Sequence, residues 1–143
     1  WVRLAGTWCE GWSESPLSWG IQGFRKLRVW LQAQEFAARV HGVTRNLTGT
    51  DAVSLRSQMG RSSMSVAANI AEGATAGGAR QFARCLQMAA ASAAKTESHL
   101  DVAVRVELLP NTVVRELMNE VVLVRRQIIA LHKRVREGAT GNR

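Results

Sequence analysis

A chain of 143 residues with 19 Lys and Arg against 11 Asp and Glu, a formal net charge of +8, is one basic domain and not several. Its 46% hydrophobic content excludes a disordered chain. Two prolines, no Tyr, and a middle dominated by Ala, Leu, Arg, Gln, Glu and Met exclude an all-β fold and point to long helices.

No stretch is long and apolar enough to span a bilayer, and the first twenty residues lack a basic start followed by an apolar core, so no membrane partner is expected. Cys9 and Cys85 are far apart and belong to no CxxC or Cys/His cluster. Reduced thiols and a cytoplasmic location are the expectation.

In chain order, residues 1–23 hold Trp1, Trp8, Trp12 and Trp19 among Gly, Ser and Pro16 without a helical period. They read as an irregular leader, packed on the domain or loose, and the start at Trp1 instead of Met reads as a truncated or misassigned beginning. From Phe24 to Leu47 the apolar positions Phe24, Leu27, Trp30, Leu31, Ala37, Ala38 and Val43 are spaced by threes and fours, which predicts a first helix. Asp51 is the expected N-cap of a second helix, whose stripe is Leu55, Met59, Val66 and Ile70. Ser62, Ser63, Ser65, Ala67 and Ala68 keep the surface of that helix shallow, so a neighbour can approach closely.

Gly73, Gly77 and Gly78 are expected to end the second helix and open a third, over Ala79 to Leu108, stopped by Pro110. A fourth helix, capped by Asn111 or Thr112, runs to about Arg136, and residues 138–143 should fray. Its seam is Val114, Leu117, Val121, Val124, Ile128, Leu131 and Val135. Met118, Val122 and Ile129 form a second apolar stripe roughly 100° away, which asks for a neighbouring surface. Four long helices joined by short connectors give an all-α, antiparallel up-down-up-down four-helix bundle over residues 24–137. An extended solenoid would need a repeat that the chain lacks.

A bundle of this kind can hold a di-iron centre, but no Glu-x-x-His pair is present, and His41, His99 and His132 stand singly in three helices. Glu97 and His99, two apart, point to different sides of their helix. No nucleophile, base and oxyanion set can be assembled, and no Gly-rich phosphate loop with a Lys follows a strand. No metal, no cofactor and no enzymatic activity are the expectation.

The positive charge is concentrated at the two ends of the chain order. Residues 24–49 carry Arg25, Lys26, Arg28, Arg39 and Arg45 against Glu35, and residues 110–143 carry seven basic against three acidic side chains. On helical spacing Arg25, Arg28 and Arg39 form one ridge of the first helix, and Arg115, Arg126 and Lys133 another on the fourth. Such ridges can track phosphates, and they also serve as ordinary solvated faces.

Leu55, Ser57, Gln58, Arg61, Ser65, the run Asn69-Ile70-Ala71-Glu72-Gly73, then Phe82, Leu86, Ala89, Ser92 and Glu97, together with Phe24, Leu27, Val29 and Trp30, resemble the four-helix bundle proteins encoded in intervening sequences of bacterial 23S ribosomal RNA genes. The resemblance covers about Phe24 to Arg136. The chain departs from it where Gly60 precedes Arg61 in place of a basic pair, where Ala67 replaces a common proline, and at Ala76 and Gly78 after the motif. Within the motif, Asn69 and Glu72 can satisfy backbone groups at a helix end and Gly73 can supply a left-handed turn.

That family is similar to the accessory variability proteins of diversity-generating retroelements, which implies a homo-oligomer, a pentamer, with a nucleic-acid partner. The expected function is an RNA-associated accessory protein binding structured RNA through its basic ridges. The alternative is a scaffold that docks a reverse transcriptase without touching nucleic acid.

Overall fold

The computed structural model describes residues 23–140, and among them the chain is helical outside short connectors, with no strand. A single 3-10 turn, Gly23–Lys26, leads into α1 (Arg28–Thr44), α2 (Thr50–Thr75), α3 (Ala79–Arg105) and α4 (Asn111–Thr140). The leader expected over residues 1–22 lies outside the described residues.

The first helix is shorter than its apolar spacing predicts. Leu27 is extended (φ −72°, ψ 114°) and its carbonyl accepts the N–H groups of Trp30 and Leu31, so α1 starts after it. Leu27 is buried and Phe24 packs against the core across this break, so an apolar period runs on where the backbone does not. Periodicity reports which side chains turn inward, and a tight turn can deliver the same side chains as a helix.

Glycine sets two of the remaining helix starts. Gly49 (φ 100°) and Gly78 (φ 98°) occupy the N-cap positions of α2 and α3, a backbone region that disfavours any side chain. Asp51 therefore does not cap α2. It sits in the first turn, where its carboxylate still faces the positive end of the helix.

Pro110 is not what ends α3. The helix stops at Arg105, and Glu107 takes φ 54° while the Leu108 and Glu107 N–H groups bond to the carbonyls of Ala103 and Val104 at 2.9 and 3.0 Å. These are the two bonds of a Schellman cap, with Glu where glycine is usual. α4 starts at Asn111, and the Pro110 carbonyl accepts the Val114 N–H, so Asn111 and Thr112 lie inside the helix and do not cap it. α4 continues to Thr140, and the last three residues of the expected frayed tail, 141–143, lie outside the described residues.

All seven seam residues of α4 are buried, with Leu117, Val121 and Ile128 completely so. They meet Phe36 and Val40 of α1, Met59, Val66 and Ile70 of α2, and Phe82, Leu86 and Leu100 of α3 in one continuous core. Each helix turns a single stripe to this centre, and removing that apolar surface from water is the main favourable contribution to the fold. α1 packs against α2 and α4, and α3 lies between α2 and α4.

The α2–α3 contact is set by small and hydroxyl-bearing residues. Thr96 donates to Ser62 Oγ at 2.9 Å, Ser92 donates to Ser65 Oγ at 3.1 Å, and Asn69 Nδ2 reaches the same Ser65 Oγ at 3.0 Å. Paired positions descend on α3 as they ascend on α2. At the end of this series a Cβ built on Gly73 would stand 2.5 Å from Cys85 Cβ and 3.3 Å from Phe82 Cα. Only glycine permits that approach.

Gly73 is thus a close-packing residue in the last turns of α2, and the left-handed role expected of it falls to Gly77 and Gly78 (φ 72° and 98°). Asn69 donates to the Ser65 carbonyl at 2.7 Å, one turn back. Of the two motif side chains expected at a helix end, neither caps it: Asn69 is buried in the α2–α3 contact and Glu72 is exposed.

Candidate nucleic-acid interface

On α4 the helical period separates the core seam from the cations. Arg115, Arg126 and Lys133 recur at intervals of eleven and seven, close to whole numbers of turns, and all three are exposed on the side opposite the buried seam. Lys133 has Glu137 one turn on, at 3.9 Å between two well-exposed groups. At that exposure and distance the attraction is weak, and an incoming phosphate can compete with it. Arg115 and Arg126 make no hydrogen bond or ion pair among the described residues.

The three arginines expected to form a ridge on the first helix do not share a face. Arg25 lies in the 3-10 turn, with its guanidinium carbon 5.6 Å from the Phe24 ring centroid and 5.9 Å from that of Trp30. Arg39 reaches across to α4 and pairs with both Glu116, at 3.1 Å, and Glu120. Arg28 is exposed at the start of α1. The backbone break at Leu27 removes Arg25 from the helix, so its angular position on that helix has no meaning, whereas Arg28 and Arg39, eleven residues apart within α1, keep a common face.

Arg39 differs from the α4 cations electrostatically. Glu116 and Glu120 are one turn apart on α4 and offer two carboxylates to one guanidinium, a fixed local partner that neutralises it. Arg125 is likewise committed, with Nε and an Nη of its guanidinium 2.5 and 3.2 Å from the two Glu97 oxygens on α3. This two-point pair, in which Glu97 is only 19% exposed, was not read from the sequence. The signal lay in Arg125 falling between the seam and the basic ridge, at a position where a neighbouring helix would be.

Met118, Val122 and Ile129 are divided in the same way. Met118 packs against the core and, with Arg115 of α4 and Asp101 and Arg105 of α3, lines a shallow groove of about 290 Å³. Val122 is half-buried, whereas Ile129 is 50% exposed and Leu123 51%. Part of the second stripe is therefore covered by the chain's own α3, and the part that remains open is Ile129, with Leu123 exposed on the other side of Arg126.

Among the described residues no group of three or more His, Cys, Asp or Glu side chains could hold a metal ion, and no helix is long and apolar enough to cross a membrane. Burial pushes the Cys85 thiol above its usual range, and the nearby Glu72 carboxylate pushes it the same way, so it is held as the unreactive thiol.

The architecture defines an all-α four-helix bundle with a basic outer face on its last helix. The profile of the 23S rRNA-intervening sequence protein family matches residues 25–130, so the chain belongs to that family. It is also similar to a crystal structure from Bacteroides thetaiotaomicron VPI-5482, a protein of unknown function from the S23 ribosomal protein family. The TM-score is 0.69 at 25% identity, covering 73% of this chain and 95% of the other. No protein of curated function matches the sequence.

Proposed function

We propose that this chain is a non-enzymatic, homo-oligomeric bundle that binds structured RNA through the outer face of α4 and acts as an RNA-associated accessory protein in the cytoplasm. The observation that carries the reading is the row Arg115, Arg126 and Lys133. These cations lie on one exposed face, in a chain of formal net charge +8, without the short carboxylate pairs that hold Arg39 to Glu116 and Glu120 and Arg125 to Glu97. Cations at intervals of whole helical turns can follow a phosphate backbone, and the binding free energy comes from releasing counterions. The family's description, which ties its members to 23S rRNA genes, supports RNA as the polyanion.

An apolar side chain left open on the same helix supports the homo-oligomeric part of the reading. Ile129 leaves a large apolar side chain half open to one side of the basic row, and a second copy covering that side would multiply the cations presented to one RNA. A pentamer is the assembly the family resemblance implies.

The test is fluorescence anisotropy with a labelled structured RNA, comparing the parent with the Arg115→Gln, Arg126→Gln, Lys133→Gln triple variant. The variant should bind at least about tenfold more weakly near physiological salt, with an unchanged melting temperature. Equal affinity would remove the α4 face from the site. No binding by the parent at low salt would favour the protein-docking scaffold. Light scattering on Val122→Glu, Ile129→Glu checks assembly, and a parent that is already monomeric at micromolar concentration would contradict it.

A further inference from the structure

A second feature lies on the α2 side of α1, away from the Arg39 clamp. The 3-10 turn, α1 and α2 enclose an open groove of about 380 Å³, within the roughly 300–1,000 Å³ of small-ligand pockets. One wall is aromatic. The Phe24 and Trp30 rings meet edge to face with centroids 5.0 Å apart, and the Arg25 guanidinium is held close to both. The floor is alanine from α2, including the exposed Ala68, and Gln34 and the 59%-exposed Met64 stand at the rim.

This combination fits one class of ligand better than an apolar peptide. Aromatic rings and an arginine plane make a stacking platform for a flat heterocycle, and the Gln34 amide offers both a donor and an acceptor to a base edge. No carboxylate lines the groove, Lys26 follows Arg25 directly, and α1 begins at Arg28 without an acid in its first turn. The local charge therefore favours a ligand that carries its own anions. A base inside a duplex has both faces covered and cannot enter.

We infer that this groove receives an unpaired nucleobase from a single-stranded segment of the bound nucleic acid, stacked against Trp30 and the Arg25 guanidinium, with the flanking phosphates on Lys26 and Arg28. The inference rests on the nucleic-acid reading above and adds a base-dependent contact to a phosphate-dependent one. An RNA with paired stems and an unpaired loop could engage both.

The experiment uses the full chain and two labelled single strands of equal length and charge, an oligoadenylate and its abasic counterpart. The parent should bind the base-bearing strand about tenfold more tightly, the scale of a stacked base. Ala68→Leu places a good helix former at an exposed position and fills the slot, so it should bring the oligoadenylate down to the abasic level without changing the salt slope. Trp30→Ala should do the same, and Ala68→Leu keeps the test decisive if that variant unfolds. Equal affinity of the parent for both strands, or a base preference that survives Ala68→Leu, would overturn the base slot. If, in the first case, the α4 triple variant still weakens RNA binding, the proposed function stands without it. No binding to either strand or to structured RNA at low salt would remove both.

Discussion

Between α2 and α3 the helices meet through glycine, alanine and hydroxyl groups, with Gly73 against Phe82 and Cys85 and the Ser62–Thr96 and Ser65–Ser92 pairs further along. Between α1 and α4 an exposed guanidinium, Arg39, holds two carboxylates over the edge of the core. The first contact is close and uncharged, and any added atom is felt there. The second depends on charge at the surface, where solvent screens it. The contrast separates residues that hold the bundle together from residues that are free to meet a partner. A cation is available to an incoming anion where no neighbouring helix has already supplied its counter-charge.

Substitution of glycine within α2 gives the largest expected effect. Gly73→Ala should destabilise by about 1–3 kcal/mol in denaturant titration, because the new methyl meets Cys85 and Phe82 with no room to yield. Gly60, in the same helix, has nothing within 4 Å of an added Cβ, so Gly60→Ala should stabilise by up to about 1 kcal/mol through helix propensity alone. Equal effects at the two positions would show that α2 and α3 are not closely packed at Gly73.

Thr96→Val keeps the shape of a buried side chain and removes its hydroxyl from Ser62 Oγ and the Ser92 carbonyl. A loss of about 1 kcal/mol is expected, and no loss would make the hydroxyl pairs incidental. The charged contact should matter least for stability. Arg39→Gln should cost about 0.2–1 kcal/mol at low salt and less as salt rises, measured by thermal melts across a salt series.

Much of this organisation is legible in the residues themselves. The α4 seam from Val114 to Val135 is buried at every position because a period near 3.5 keeps those side chains on one face of the helix. The serines and alanines of α2 point to a close neighbour because small side chains leave a shallow helix surface. What the period cannot show is the backbone between inward side chains, and that is where Leu27 breaks α1 and separates Arg25 from Arg39. Glu107 hides the end of α3 in a similar way, since a left-handed Glu carries no sequence signal and Pro110 further on looked sufficient. Gly73 was visible as a glycine near a helix end, a setting that two different roles share; only the positions of Phe82 and Cys85 decide between turn and close approach.

The same limit applies to the candidate site. Helical angles place Arg115, Arg126 and Lys133 on one face from sequence alone, because all three lie in one unbroken helix. Pairing is a property of two helices, so the clamps on Arg39 and Arg125 required the packed structure. Met118 belongs to this group too, since part of its cover comes from α3.

The salt dependence of RNA binding measured on three proteins, the parent, Arg39→Gln and the Arg115→Gln, Arg126→Gln, Lys133→Gln variant, tests the distinction between committed and available cations most directly. Each phosphate contact contributes about 0.7–0.9 to the slope of log affinity against log salt, so the triple variant should lower the slope by about 2 to 3. Arg39→Gln should leave it unchanged, because that guanidinium is already neutralised by Glu116 and Glu120. A slope reduced by Arg39→Gln and untouched in the triple variant would contradict the account.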